Sequence, residues 1–432
     1  MNEMKKLTPL AQDYVSRFSV ARSTLPGHSS PAVTRAREEG LARFAAHDFP
    51  GRKVEEWRFT NLLPLTKGIA TTEAPATGDV PAAEFEAPHV MTFINGRFSA
   101  RDSRLDRLPD GVKLTSLAAE LDAGNTALLG TEADDKRAVV ALNTAFMEDG
   151  VVLNAAPGVT LDAPILIRFV SVAGTGANAH HMRNVIHLGE KASVTLVEEH
   201  AGVDGHAYFA NPVTDITLDK GARLNHYKYQ AESADAFHLA NTDTALAEGA
   251  VYENFALSTG ARLSRNELET RILGGGAESI LNGAYLMRGT QHCDTTTITR
   301  HLVPENVSRQ IYKGILDDEA QGVFQGKIQI VPDAQQVSGD QLSRALLLSD
   351  RASVAVKPEL EIHADDVKCS HGASSGELDE DALFYLQSRG IEEKTARKML
   401  IDAFLADVLE EVSNDDVRAY FAAVTARWMD KV

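Results

Sequence analysis

The chain has 432 residues, with 43 Lys and Arg against 61 Asp and Glu, a formal net charge of −18 at pH 7. A surface of that sign repels phosphate backbones and anionic lipid, so a nucleic-acid or membrane-surface role is disfavoured, local basic patches aside. Hydrophobic residues at 44% and charged residues at 24% are globular averages, and the length suggests about two or three domains.

The N-terminus, MNEMKKLTPL, continues into Gln12, Asp13 and Arg17 where a secretory signal needs an apolar block, so a cytoplasmic location is expected. Helical spacing covers Leu7 to Ser23 and Pro31 to His47, the second opening on Pro31 after Ser29-Ser30. Thr71 to Pro88 is rich in Pro, Gly and Ala and predicts an exposed connector. In VMTFINGRFS, Asn95-Gly96 between two β-prone runs predicts a hairpin. One more helix is expected over Asp135 to Met147, stopped at Asp149-Gly150. Residues 1–150 therefore form a mixed, largely helical region. The longest apolar run, Ala163 to Val172, is interrupted by Arg168 and falls short of the roughly 18 residues of a membrane span.

From Val151 the texture changes to short β-prone runs introduced by Gly at 158, 189, 221, 249 and 276, spaced 31, 32, 28 and 27 residues apart. Such a period calls for a repeat architecture. Alternation of period two, as in Val194, Thr195, Leu196 and Val197, leaves no room for helices between these corners. The economical solution is a parallel β-helix over 151–376, each coil burying its inward face against its neighbours. A jelly-roll or other antiparallel sandwich is the competitor. Helical periodicity returns over 377–432. Ala396, Met399, Leu400, Ala403, Phe404 and Val408 form one stripe, Val417, Tyr420, Phe421, Val424 and Trp428 another, and Ser413 to Asp416 reads as a capping box.

Few motifs carry chemistry. GVFQGKI at Gly322 has three residues between its glycines where a Walker loop has four, and Ile328 after the lysine where it has Ser or Thr. Gly274-Gly275-Gly276 is more simply a set of corners. His180 and His181 are adjacent, so on a strand they face opposite ways and cannot easily share a metal; a solvated turn is expected there. Two cysteines, Cys293 and Cys369, with no CxxC, exclude a disulfide scaffold and any self-contained four-cysteine metal centre. The densest polar run spans Glu361 to Gly372 and holds His363, Asp365, Asp366, Lys368, Cys369 and His371. Cys369 and His371 stand at i and i+2, on one face of an extended strand. Thiolate and imidazole suit a shared soft-metal or sulfur site, with Lys368 or protonated His371 as a cation to favour the thiolate. A structural Cys beside a hydrogen-bonded His fits the same spacing. A Cys-His hydrolase fits least, since no orienting Asn or Asp is identifiable.

The runs FQGKIQIVPDAQQVSGDQLSRALLLSD, KPELEIHADDVKCSHGASSGELDEDALFYLQSRGI and ARKMLIDAFL, with EEWRFTNL at Glu55 to Leu62, resemble the SufB/SufD family of iron-sulfur cluster assembly scaffolds. With no cysteine before His292 and none in Gln335 to Asp350, the chain sits nearer the SufD branch than the SufB branch. The resemblance implies a right-handed parallel β-helix flanked by N- and C-terminal helical domains. It also implies a noncatalytic role in a complex with SufB and the ABC-type ATPase SufC. SufB would pair through the core, and SufC would dock on the C-terminal helices within Asp379 to Leu409. A nascent cluster would form at the SufB interface. His371 is carried over as the candidate ligand there and Cys369 as its neighbour, both shared with the partner. The isolated chain would hold no cofactor, though reduced flavin is an expectation for the complex, and self-pairing of the isolated chain is left open. A β-helix polysaccharide-modifying enzyme and a stand-alone metal-binding module are the alternative functions.

Overall fold

The computed structural model describes residues 7–68, 80–105, 108–128, 137–172 and 178–430. Its centre is a flattened parallel β-solenoid of about seven turns whose strands alternate between two facing sheets. The first sheet runs from His89–Ile94 through Ile165–Ser171 and Ser193–Gly202 to Val337–Leu347 and Val367–Gly376. The second runs from Val151–Ala155 through Arg183–Leu188 and Phe237–Leu246 to Gln321–Ile330 and Ser353–Ile362. Like residues stack rung on rung. Leu188, Leu218, Leu246 and Ile272 are in register on the second sheet and fully buried between the sheets. Each such side chain contributes about 1.5–3 kcal/mol, and only because a neighbouring coil covers it.

The turns explain the period. Gly158, Lys191, Gly221, Gly249, Gly276, Glu305 and Gln336 all have positive φ and recur once per coil. Their amides join consecutive corners, as in Gly221 N to Glu248 O at 2.8 Å and Gly249 N to Gly275 O at 3.0 Å. In the second of these corners Lys191, at φ 57°, takes the position expected for Gly189. Two glycines separate conformational from steric need. Gly249→Ala is expected to cost about 1–2 kcal/mol, since φ is 64° but its new Cβ meets nothing closer than 4.0 Å. Gly274→Ala is expected to cost more, because its Cβ would lie 2.1 Å from Glu248 N and 2.4 Å from Glu248 Cα. Denaturant midpoints of the two variants test that order.

The expected N-terminal helices form as α1 (Pro9–Ala21) and α2 (Pro31–His47), followed by the short α3 (Leu63–Gly68) and α4 (Leu117–Asp122), then α5 (Ala138–Phe146). Residues 129–136, including Asp135 where the last of these was expected to begin, lie outside the described residues. Thr8 caps α1 and reaches Asp48, which at φ 62° ends α2. Tyr14, Phe18, Phe44, Phe49 and Phe146 pack together and against Phe209 and Phe237 of the second sheet. The hairpin forms with Asn95 at φ 47° and Gly96 at φ 80°, and its first strand extends the first sheet. Of the expected connector, 71–79 lies outside the described residues; the rest has no regular structure, though Phe85 is buried. EEWRFTNL straps the second sheet. Trp57 lies over Arg265 at 4.2 Å, Gln325 Nε2 donates to Glu56 O at 3.0 Å, and Lys357 meets Glu55 at 2.8 Å.

Asp379 caps α6 (Glu380–Ser388), which is followed by α7 (Glu393–Leu409) and α8 (Asp415–Met429). α7 and α8 cover the outer face of the first sheet, where Tyr227, Phe255 and Ile315 share a core with Leu405, Val408 and Phe421. The α8 stripe is buried as expected. The α7 stripe is rotated: Ala396, Ile401, Leu405 and Val408 are buried while Met399 and Ala403 are exposed, because a single-face pattern cannot register which side meets the sheet. The cap of α8 is Asn414, whose side chain accepts from Val417 N; Ser413 is drawn away by Tyr227 and by Glu253, which accepts from Ser413 N at 3.0 Å.

Candidate functional site

The two ends of the solenoid are closed differently. At its start, antiparallel strands Arg97–Phe98 and Val112–Ser116 terminate the sheets, which blunts their edges. At its finish, Val367–Gly376 and Ser353–Ile362 are last in their sheets, and most of their side chains are exposed or half-buried. A bare parallel edge of ten residues presents unpaired backbone groups, a template for another strand.

Cys369 and His371 lie on this last strand, in register with Gly339 and Gln341 of the coil beneath. Cys369 is half-buried and packs against the cluster of Ile328, Ile330, Ala334 and Val337 between the sheets. Strand alternation therefore turns His371 the same way, at the open mouth. His371 is exposed and makes no hydrogen bond or ion pair among the described residues. Burial pushes the Cys369 thiol up, against a hydrogen bond from Gly339, and the nearby Asp340 pushes it further. The expected thiolate-favouring cation is not Lys368. Lys368 sits one residue away and so faces the opposite side of the strand.

The rest of the polar run belongs elsewhere. Glu361 and His363 are on the outer face of the second sheet, where Glu361 pairs with Lys327 at 2.5 Å and His363 at 3.2 Å. Hydrogen bonds from Lys327, Gln329 and His363 hold the Glu361 carboxyl down at about 2. Among the described residues, no group of three or more His, Cys, Asp and Glu side chains could hold a metal ion.

Sequence reading missed a buried polar cluster inside the solenoid. Glu198 contacts His200 at 3.2 Å and His226 at 3.1 Å; Glu232 meets His238 at 2.8 Å, and Lys228 Nζ lies 2.9 Å from that ring. Burial opposes charge on Glu198 and Glu232, but the surrounding imidazoles hold both carboxylates ionised. Two inter-sheet cavities of about 10 and 20 Å³ adjoin this cluster, each sized for one water. Its signal was present: Glu198/His200 and His226/Lys228 are i, i+2 pairs on inward positions of successive coils.

His180 and His181 are buried, not on a solvated turn. The His181 ring lies 3.1 Å from both Tyr14 OH and Asn211 Nδ2. Burial lowers His181 to about 3, with a smaller contribution from His180. The unfolded chain takes up this proton below pH ~6.5 and the folded one does not, so its contribution is full above 6.5 and lost as the pH falls toward 3. The free energy of unfolding is expected to fall by about 1.4 kcal/mol per pH unit from this group between about pH 5.5 and 4, a contribution that His181→Gln removes.

The chain matches the SUF system FeS cluster assembly SufBD core domain over residues 169–404 and the SufBD protein N-terminal region over residues 8–167. It belongs to the SufBD family. Among its SufBD relatives, an iron-sulfur cluster assembly SufBD family protein of Synechocystis is 33% identical, covering 90% of each chain. Protein ABCI7, chloroplastic, of Arabidopsis thaliana is 31% identical over 92% of this chain and 86% of its own. The iron-sulfur cluster assembly protein SufD of Escherichia coli is 28% identical over 88% and 89%. The SufBD core match ends inside α7, so it spans the solenoid's open end with Cys369 and His371.

Proposed function

We propose that this chain is the SufD-type scaffold subunit of a cytoplasmic SufB–SufC–SufD complex that assembles iron-sulfur clusters, and that it has no catalytic activity of its own. The observation that carries this reading is the uncovered last coil, which offers His371 and Cys369 on one strand face. A cluster is commonly anchored by four protein donors, and this face has a thiol and an imidazole. A SufB strand laid along the bare edge would bring the remainder. The cluster is cargo, so a site split between two subunits favours release: separating them removes half the ligands. The thiol, pushed up by burial, must release its proton to solvent before the thiolate can bind metal, which leaves the exposed imidazole of His371 the more accessible donor.

SufC is assigned to α6 and the start of α7. Phe384 and Tyr385 are 72% and 56% exposed there, and Leu383 is the residue α6 buries. A reduced flavin has no place in either inter-sheet cavity and would sit at an interface of the complex. Self-pairing through the same edge is the competing use of that surface in the isolated chain. Family membership sets aside the polysaccharide-modifying enzyme. No helix of the described residues is long and apolar enough to cross a membrane.

Anaerobic co-expression with SufB and SufC tests the assembly. All three chains are expected to co-purify with iron, and Phe384→Ser/Tyr385→Ser to release SufC while keeping SufB. Retention of SufC by the double variant, or no association with SufB, contradicts the assignment.

A further inference from the structure

Gln341 lies directly beneath His371 in the ladder and is 3% exposed, yet neither its Oε1 nor its Nε2 has a hydrogen-bond partner. The coil below shows what is missing. There Gln310, in register with Gln341, accepts from Thr297 Oγ1 at 2.6 Å and donates to Thr299 Oγ1 at 3.2 Å. One coil on, the residues in register with those threonines are Gly326 and Ile328. Gly326 also keeps open the space beside the amide: a Cβ there would lie 2.9 Å from Gln341 Oε1. An unpaired buried amide group costs about 1–3 kcal/mol, and an apolar residue of the same shape would avoid that cost.

In-register side chains on adjacent strands are about 4.8 Å apart, and an exposed imidazole turns freely. We infer that Gln341 is a positioning residue for His371: its amide oxygen accepts one ring N–H and aims the other nitrogen out of the mouth toward the metal held with the partner. The inference rests on the assembly role proposed for His371. Outer groups of this kind fix which ring nitrogen carries the proton, and their loss lowers metal affinity or activity about 10–100-fold.

The test uses two replacements, Gln341→Leu, which removes the acceptor, and Gln341→Glu, which keeps one. Ring ¹⁵N spectra of the full chain report the tautomer of His371, and the anaerobic complex reports the rate of cluster formation. Gln341→Leu is expected to mix the tautomers and slow assembly about tenfold, with an unfolding midpoint no lower than that of the parent. Gln341→Glu is expected to keep the parent tautomer and most of the rate. An unchanged tautomer ratio in Gln341→Leu overturns the inference, as does a loss of stability shared by both variants. Normal assembly by His371→Ala would instead overturn the function on which it rests.

Discussion

His371→Ala is expected to lower cluster formation by the SufB–SufC–SufD complex by tenfold or more while leaving the fold and its midpoint unchanged. The magnitude follows from the outer-shell case: removing a group that only orients a ligand costs about 10–100-fold, and removing the ligand costs at least as much. The intact fold follows from position. His371 is exposed on the last strand, bonds to nothing among the described residues and has no coil above it, so truncation opens no cavity. Cys369→Ser is the informative companion. Its thiol is half-buried against an aliphatic cluster and pushed up by that burial, so a smaller loss than for His371 is expected. Iron content and absorbance of complexes purified in parallel measure both. A His371→Ala complex that fills at the parent rate would remove the residue from the site.

Asp294→Ala is expected to destabilise the chain by about 3–5 kcal/mol, the cost of stranding a buried charge. Arg265 and Asp294 are 1% and 0% exposed on neighbouring strands of the second sheet, and each has a further partner. Arg265 Nη2 bonds Glu267 at 2.9 Å and its guanidinium lies against Trp57; the Thr60 hydroxyl donates to Asp294 and lies 2.9 Å from His292 Nε2. The pair thus fastens the N-terminal strap across the solenoid. Equilibrium unfolding in denaturant gives the loss, and the double variant Asp294→Ala/Arg265→Met is expected to recover much of it, since no charge is then left unpaired. A loss below about 1 kcal/mol for the single variant would show that water reaches Arg265.

The solenoid was legible because its chemistry is local. A left-handed corner once per coil selects glycine, and four of the seven corners keep it; Lys191, Glu305 and Gln336 hide the others. The helices at Pro9–Ala21 and Pro31–His47 were legible through their helical spacing, the second also through Pro31 after Ser29-Ser30. What failed depended on partners distant in sequence. Ser413 fits a capping box until Tyr227 and Glu253, some 160 residues or more away, claim it. The α7 stripe depends on which side meets the sheet, and the burial of His181 on the helices packed over it, which bring Tyr14 and Phe146 against its ring. Within the candidate site, Cys369 and His371 fall on one face because strand alternation dictates it. The separation of Glu361 and His363 required knowing that a turn at Ala364–Asp366 sends the chain from one sheet to the other. Gln341 becomes visible only when coils are stacked, because its missing partners are the residues that fail to repeat.

Backbone hydrogen exchange over Val367–Gly376 is the most direct test of the claim that the open end is a half-site awaiting a partner strand. At concentrations where the chain is monomeric, the outward amides of this strand are expected to exchange rapidly, and to become protected when SufB is added. Protection already complete in the monomer, or exchange unchanged by SufB, would contradict it.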